Sequence, residues 1–128
     1  MAKGRVRMWT PAAADNFKGA VALAALAAVD PSARPIRTGW TLHCYFFMPR
    51  PKRLEDRSGG GRERLPHLAR PDIDNLVKAA VDAIVDAGVA HDDATLWRIC
   101  ASKFYAEQGS QPRAVFHLAT NTDDIPHG

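Results

Sequence analysis

Cysteine is scarce: Cys44 and Cys100 are the only two in 128 residues. Both fall in apolar, strand-like segments, so they read as small buried hydrophobes in a reducing compartment, not as a disulfide framework. A zinc site would need further soft ligands at short spacing, and only His43 lies beside either thiol. No run of about eighteen apolar residues occurs, which excludes a candidate membrane-spanning helix. The alanine-rich stretch 20–29 is too short to span. Asp15, Lys18 and Asp30 bracket it and no clear cleavage site is present, so it lacks the form of a secretory signal. The cytoplasm is the expected location. No internal repeat is visible.

What remains is an ordinary globular composition, 46 % hydrophobic and 24 % charged, in a chain long enough for one domain and one core. The formal net charge is only +3. Its distribution says more than its size. Residues 49–70 hold seven basic side chains (Arg50, Lys52, Arg53, Arg57, Arg62, Arg64, Arg70) against three acids, Glu55, Asp56 and Glu63. Acids gather instead between Asp72 and Asp93. A basic rim beside an acidic centre suits a polyanion that must approach a metal site.

The elements follow from pattern and punctuation. Residues 1–10 are short and basic, a strand stub or a loop. Thr10 and Pro11 supply an N-cap and a first helical position, predicting a helix to about Val29 with Ala20, Leu23, Ala24 and Ala27 facing inward. Residues 39–48 read as a strand rich in aromatic and β-branched side chains, stopped by Pro49 and Pro51. Residues 50–69 carry a Ser58-Gly59-Gly60-Gly61 run and many charges, predicting a mobile basic loop. A second helix is capped by Asp72 or Asp74 and ends at Gly88, with Leu76, Val77, Ala80, Val81, Ile84 and Val85 as its buried stripe. Residues 95–105 and 113–120 are two further strands, joined through Gly109 as an expected hairpin. The last eight residues, from 121, are expected to fray. The order (β)-α-β-α-β-β predicts an α+β domain over residues 1–128, two helices on a small mixed sheet, with parallel pairing across the helical crossover.

The stretch Arg70-Pro71-Asp72-Ile73-Asp74-Asn75-Leu76-Val77-Lys78 carries the chemistry, with Asp93 nineteen residues after Asp74. An acid at the start of a helix is accounted for by capping and by the helix dipole. Two acids, a lysine one turn on and a later Asp92-Asp93 pair are harder to explain that way. Carboxylates at short spacing are how a small protein holds Mg²⁺. Lys78 is either an i,i+4 ion-pair partner or a cation beside a phosphoryl transition state. Asp93 is the favoured third ligand and Asp92 the alternative. Asp82 is left as a partner for Lys78 or an outer acid. Arg70 is placed to hold a phosphate. This set points to a metal-dependent nuclease.

The pattern Asp-x-Asp-Asn-Leu-x-Lys-Ala, then Asp-Asp after the helix and a strand to Lys103, resembles the core of the RusA family of Holliday-junction resolvases of bacteria and their prophages. A weaker likeness covers residues 4–21. Relatives usually open with a strand and a Pro/Asn-rich turn before such a segment, and this chain starts inside it. The resemblance implies a homodimer that binds four-way DNA junctions and cuts two strands symmetrically with Mg²⁺, Mn²⁺ substituting, in recombination and repair. It makes Asp72, Asp74 and Asp93 the metal-binding acids, Lys78 the essential lysine, and Arg70 and Asn75 flanking positions near DNA. Lys52 and Arg53 are assigned to DNA from charge alone.

Two other readings stand beside this one. The first is a phage-type endonuclease that nicks or trims other branched DNA. The second is a non-catalytic DNA-binding module in which Trp9, Trp40 and Trp97 stack on bases; tryptophans in strands are more often core.

Overall fold

A computed structural model describes residues 5–10, 16–54 and 64–120. Four strands and two helices occur in the order β1 (Arg5–Thr10), α1 (Phe17–Ala28), β2 (Trp40–Met48), α2 (Ile73–Asp86), β3 (Leu96–Tyr105) and β4 (Arg113–Ala119). The strands form one mixed sheet in the order β1-β4-β2-β3. This is the α+β arrangement expected. Among the described residues no helix is long and apolar enough to cross a membrane.

The connections explain the topology. β2 to β3 passes through α2, and the two strands pair in parallel, with His43 opposite Cys100 and Phe46 opposite Lys103. The expected β3–β4 hairpin does not form. β4 instead crosses to the other side of β2 and pairs with it antiparallel, Cys44 opposite Phe116. β1 closes that side against β4. Alternation decides this choice. β4 presents Ala114, Phe116 and Leu118 to the core, all buried, and so must sit mid-sheet under the helices. β3 has four consecutive exposed residues, Trp97 to Cys100, and suits an edge. Cys100 is therefore exposed, contrary to expectation, while Cys44 lies in the core with its thiol pushed up to about 12 by burial and secondarily by Cys100.

Both helices cover one face of the sheet. Trp40, Leu42, Cys44 and Phe46 of β2 point into a core completed by Val21, Ala25, Ala80, Val81 and Ile84. Phe46 packs edge-on to Phe116 at 5.9 Å between ring centres. The first helix begins later than predicted. Thr10 is the last residue of β1 and buried, Asn16 is the cap, and its side-chain oxygen accepts from the Gly19 N–H at 2.9 Å. Pro11 lies outside the described residues. The inward face of α1 is Val21 and Ala25, whereas Leu23 is 72 % exposed. With nearly every α1 position apolar, the sequence offers no contrast from which to phase the helix.

Of the predicted loop, residues 55–63 lie outside the described residues, as does the tail from 121. Lys52–Leu54 form a short 3₁₀ turn. Residues 65–67 run along the free edge of β3: the His67 N–H donates to the Lys103 carbonyl at 3.0 Å and the Tyr105 N–H to Leu65 at 2.9 Å. They cover only the C-terminal end of that edge.

Candidate active site at the sheet edge

α2 starts where the chain leaves the β3 edge. Its N-cap position is Asp72, yet the Asp72 side chain makes no capping bond. Capping, which would explain an acid there, is thus not what this carboxylate does. It lies 3.8 Å from the Arg70 guanidinium, both groups well exposed. Such a pair contributes little to stability.

From Asp74 the helix presents a row at four-residue spacing, Asp74, Lys78 and Asp82, beside its buried stripe. The row faces β3 across an open depression of about 550 Å³, whose apolar floor includes Leu96, Ile99 and Ala101. Asp93 also lines it. A register shift between Trp40 and Thr41 inserts one extra residue, Trp97, into β3. A bulge of this kind re-aims side chains. Here Leu96 and Ile99, three residues apart, line the same depression.

The acidic loop is fixed from beneath. The buried Trp40 ring N–H donates to the Asp92 carbonyl at 3.3 Å, and so does the Thr95 hydroxyl. Asp92 Oδ1 accepts from the Ala94 N–H at 3.0 Å. Ile36 and Ala90 form a parallel bridge that ties the approaches to β2 and β3 together. The Ala94 N–H, and then a bond from Asp93, hold the Asp92 carboxyl below its ordinary range. Asp93 moves the other way, raised first by that hydrogen bond to Asp92, then by lost hydration and by the charges of Asp92 and Asp82. The two neighbouring carboxyls thus shift in opposite directions, and Asp82 is near enough to Asp93 for its charge to be felt there.

Asp74, Lys78 and Asp93 thus share one depression, and Asp82 joins them. Asp72 is not among its lining residues. Arg70 and Asn75 are exposed at the start of α2. Lys52 and Arg53 are exposed in the turn that follows β2. The donors in the depression are hard carboxylate oxygens, the kind Mg²⁺ takes. Among the described residues no three such side chains already stand close enough to enclose an ion.

One participant carries no sequence signal. Lys103 Nζ donates to the carbonyls of Ala69 and Pro71, both at 2.6 Å. It ties the segment holding Arg70 to β3 just before Asp72. A lone lysine in a strand is unremarkable in sequence. Only its place opposite Phe46, on the helix side of the sheet, brings it under that segment.

A family model described as Endodeoxyribonuclease RusA matches residues 1–115. No curated protein matches the chain.

Proposed function

Because the chain belongs to the RusA endodeoxyribonuclease family, we propose that it is a metal-dependent nuclease resolving four-way DNA junctions by symmetric phosphodiester hydrolysis. It works as a homodimer in recombination and repair, in the cytoplasm. The observation that carries the reading is the shared depression of Asp74, Lys78 and Asp93. The family's activity calls for phosphate, water and a cation at one open surface, and in this depression three acids and an amine line the same open space.

Asp74 and Asp93, with Asp72 at the helix start and Asp82 next to Asp93, would hold Mg²⁺, or Mn²⁺ in its place. The ion, when bound, supplies Lewis acidity towards water and the scissile phosphate. Lys78 offsets negative charge on the phosphoryl group as the P–O3′ bond breaks. Arg70 holds a neighbouring phosphate, and Asn75, Lys52 and Arg53 extend the contact with the backbone. Water adds to phosphorus in line with the departing 3′ oxygen, which takes a proton, leaving a 5′-phosphate and a 3′-hydroxyl. Two copies related by a two-fold axis match the symmetry of a junction and give paired cuts.

The test is Asp74→Asn on a labelled four-way junction with Mg²⁺, alongside flaps, forks and plain duplex. Cutting should vanish while junction binding persists. Undiminished cleavage by the variant would refute the assigned role. Preferential cutting of flaps or forks by the wild type would identify a nuclease for a different branched substrate.

A further inference from the structure

We propose that the sheet face turned away from the helices is a second DNA-binding surface, gripping the phosphodiester backbone of a duplex arm. Both helices and the main core lie on one side of the sheet. The other side has no covering element among the described residues, only a small apolar cluster of Phe47, Ala106 and Val115 at one end.

The strand registers arrange this face in rows. One row reads Arg7, His117, His43 across β1, β4 and β2. The next reads Arg5, Ala119, Thr41 and, on β3, Arg98. Together they line a shallow depression of about 550 Å³, with Tyr45. Beside it a smaller one of about 300 Å³ adds Arg64 and Arg113. No carboxylate lines either. Glu107 lies outside both linings and is engaged by Arg113 at 3.3 Å. Lost hydration, and then Arg7 and His43, hold His117 below its ordinary value, as expected on a locally positive face.

Charge selects the occupant. A second copy docked face to face would bring two surfaces that carry Arg7 and Arg98 and no lining carboxylate against each other, an unfavourable arrangement. A polyanion satisfies them. Three inter-strand steps of about 4.8 Å put the arginines of β1 roughly 14 Å from Arg98, close to the width of a duplex groove. Single strands call for a platform of free aromatic rings. Here Tyr45 is engaged edge-on by His117 at 6.0 Å, and Phe47 lies under Arg113 at 4.1 Å. Backbone contact with a duplex fits better.

The position adds a consequence that rests on the nuclease reading. Arg98 on the open face immediately precedes Ile99 in the acidic depression on the helix face. A straight duplex cannot touch both faces of one sheet. A branched one can, with one arm on each side of the β3 edge.

The experiment is fluorescence anisotropy without divalent ions, using a labelled plain duplex and a labelled four-way junction. The wild type, Arg7→Gln/Arg98→Gln and Asp74→Asn are compared between about 50 and 200 mM salt. The double variant should bind both DNAs about tenfold more weakly, with a salt slope shallower by about 1 per residue removed. Asp74→Asn, which removes a negative charge from the other face, should bind no more weakly than the wild type. Unchanged affinity and slope in the double variant overturn the proposal. So does sedimentation showing a wild-type dimer that this variant dissociates, since the face would then be a self-interface. If the double variant melts early, Arg98→Gln alone, on the edge strand, should show half the slope change, and no change overturns the proposal. Cleavage of the junction by Asp74→Asn once Mg²⁺ is added would instead sink the nuclease assignment and leave duplex binding standing.

Discussion

Lys103 reaches from β3 to the carbonyl of Pro71 at 2.6 Å and to that of Ala69 at the same distance. One ammonium thus spans the residue before Arg70 and the residue before Asp72. Two charge-assisted bonds from a strand to a connecting segment hold that segment against the sheet. Lys103→Met should cut cleavage by about 10- to 100-fold, the usual effect of losing a residue that orients ligands. Thermal stability should change little, because the lysine is partly exposed. Lys103→Arg should recover part of the rate. A junction-cleavage assay with melting curves on the same samples checks this; full activity in the methionine variant would show the tether to be idle.

Trp40 plays the matching part under Asp92. Its side chain is fully buried and its ring N–H is the donor to the Asp92 carbonyl. Trp40→Phe removes that donor and some packing volume, so about 2 kcal/mol should be lost in urea denaturation. Activity measured well below the melting point should also fall, because the loop carrying Asp93 loses its support. A stability loss with an intact cutting rate would separate the packing of Trp40 from its hold on the loop.

Much of this was legible in the sequence because it rests on periodicity. The buried stripe of α2 contrasts strongly with Asp74, Lys78, Asp82 and Asp86, and the structure buries Ala80, Val81, Ala83 and Ile84. Strand ends at Met48 and Tyr105 follow from local punctuation. Strand order is non-local, and the chain forms β1-β4-β2-β3 where a β3–β4 hairpin is expected. Gly109, at φ +82°, does make the turn after β3. A turn, however, cannot say whether the next strand pairs with its predecessor or crosses it; the alternation in β4 decides that. The same limit leaves Asp82 undecided in the sequence between a partner for Lys78 and an outer acid. On a helix it reads as one more exposed acid, and only the placement of β3 sets it near Asp93.

Asp82 accordingly gives a graded prediction. Its charge is felt at Asp93, so Asp82→Asn should weaken cutting by about 10- to 100-fold, less than Asp74→Asn. Raising Mg²⁺ should restore part of the loss if Asp82 helps gather the ion. Initial rates on a junction, titrated with Mg²⁺, measure this. A loss as complete as that of Asp74→Asn, insensitive to Mg²⁺, would make Asp82 a principal ligand in place of Asp72.

His67 predicts how stability follows pH. The residue is buried, its ring packs against Tyr105 at 4.7 Å, and its Nδ1 finds no partner. Burial, and then the Lys103 charge, hold its pKa below the ordinary value of 6.5. As pH falls past about 6.5 the unfolded chain takes up a proton at His67 while the folded chain resists. The unfolded state then binds more protons, so this contribution to stability is fully present above that pH and declines as pH drops towards the folded value. Denaturant midpoints should therefore fall between about pH 7 and pH 5. His67→Gln, which does not titrate, should show a shallower decline over the same interval. Parallel curves for the two proteins would mean that His67 protonates in place, and that its burial against Tyr105 resists the charge less than the geometry indicates.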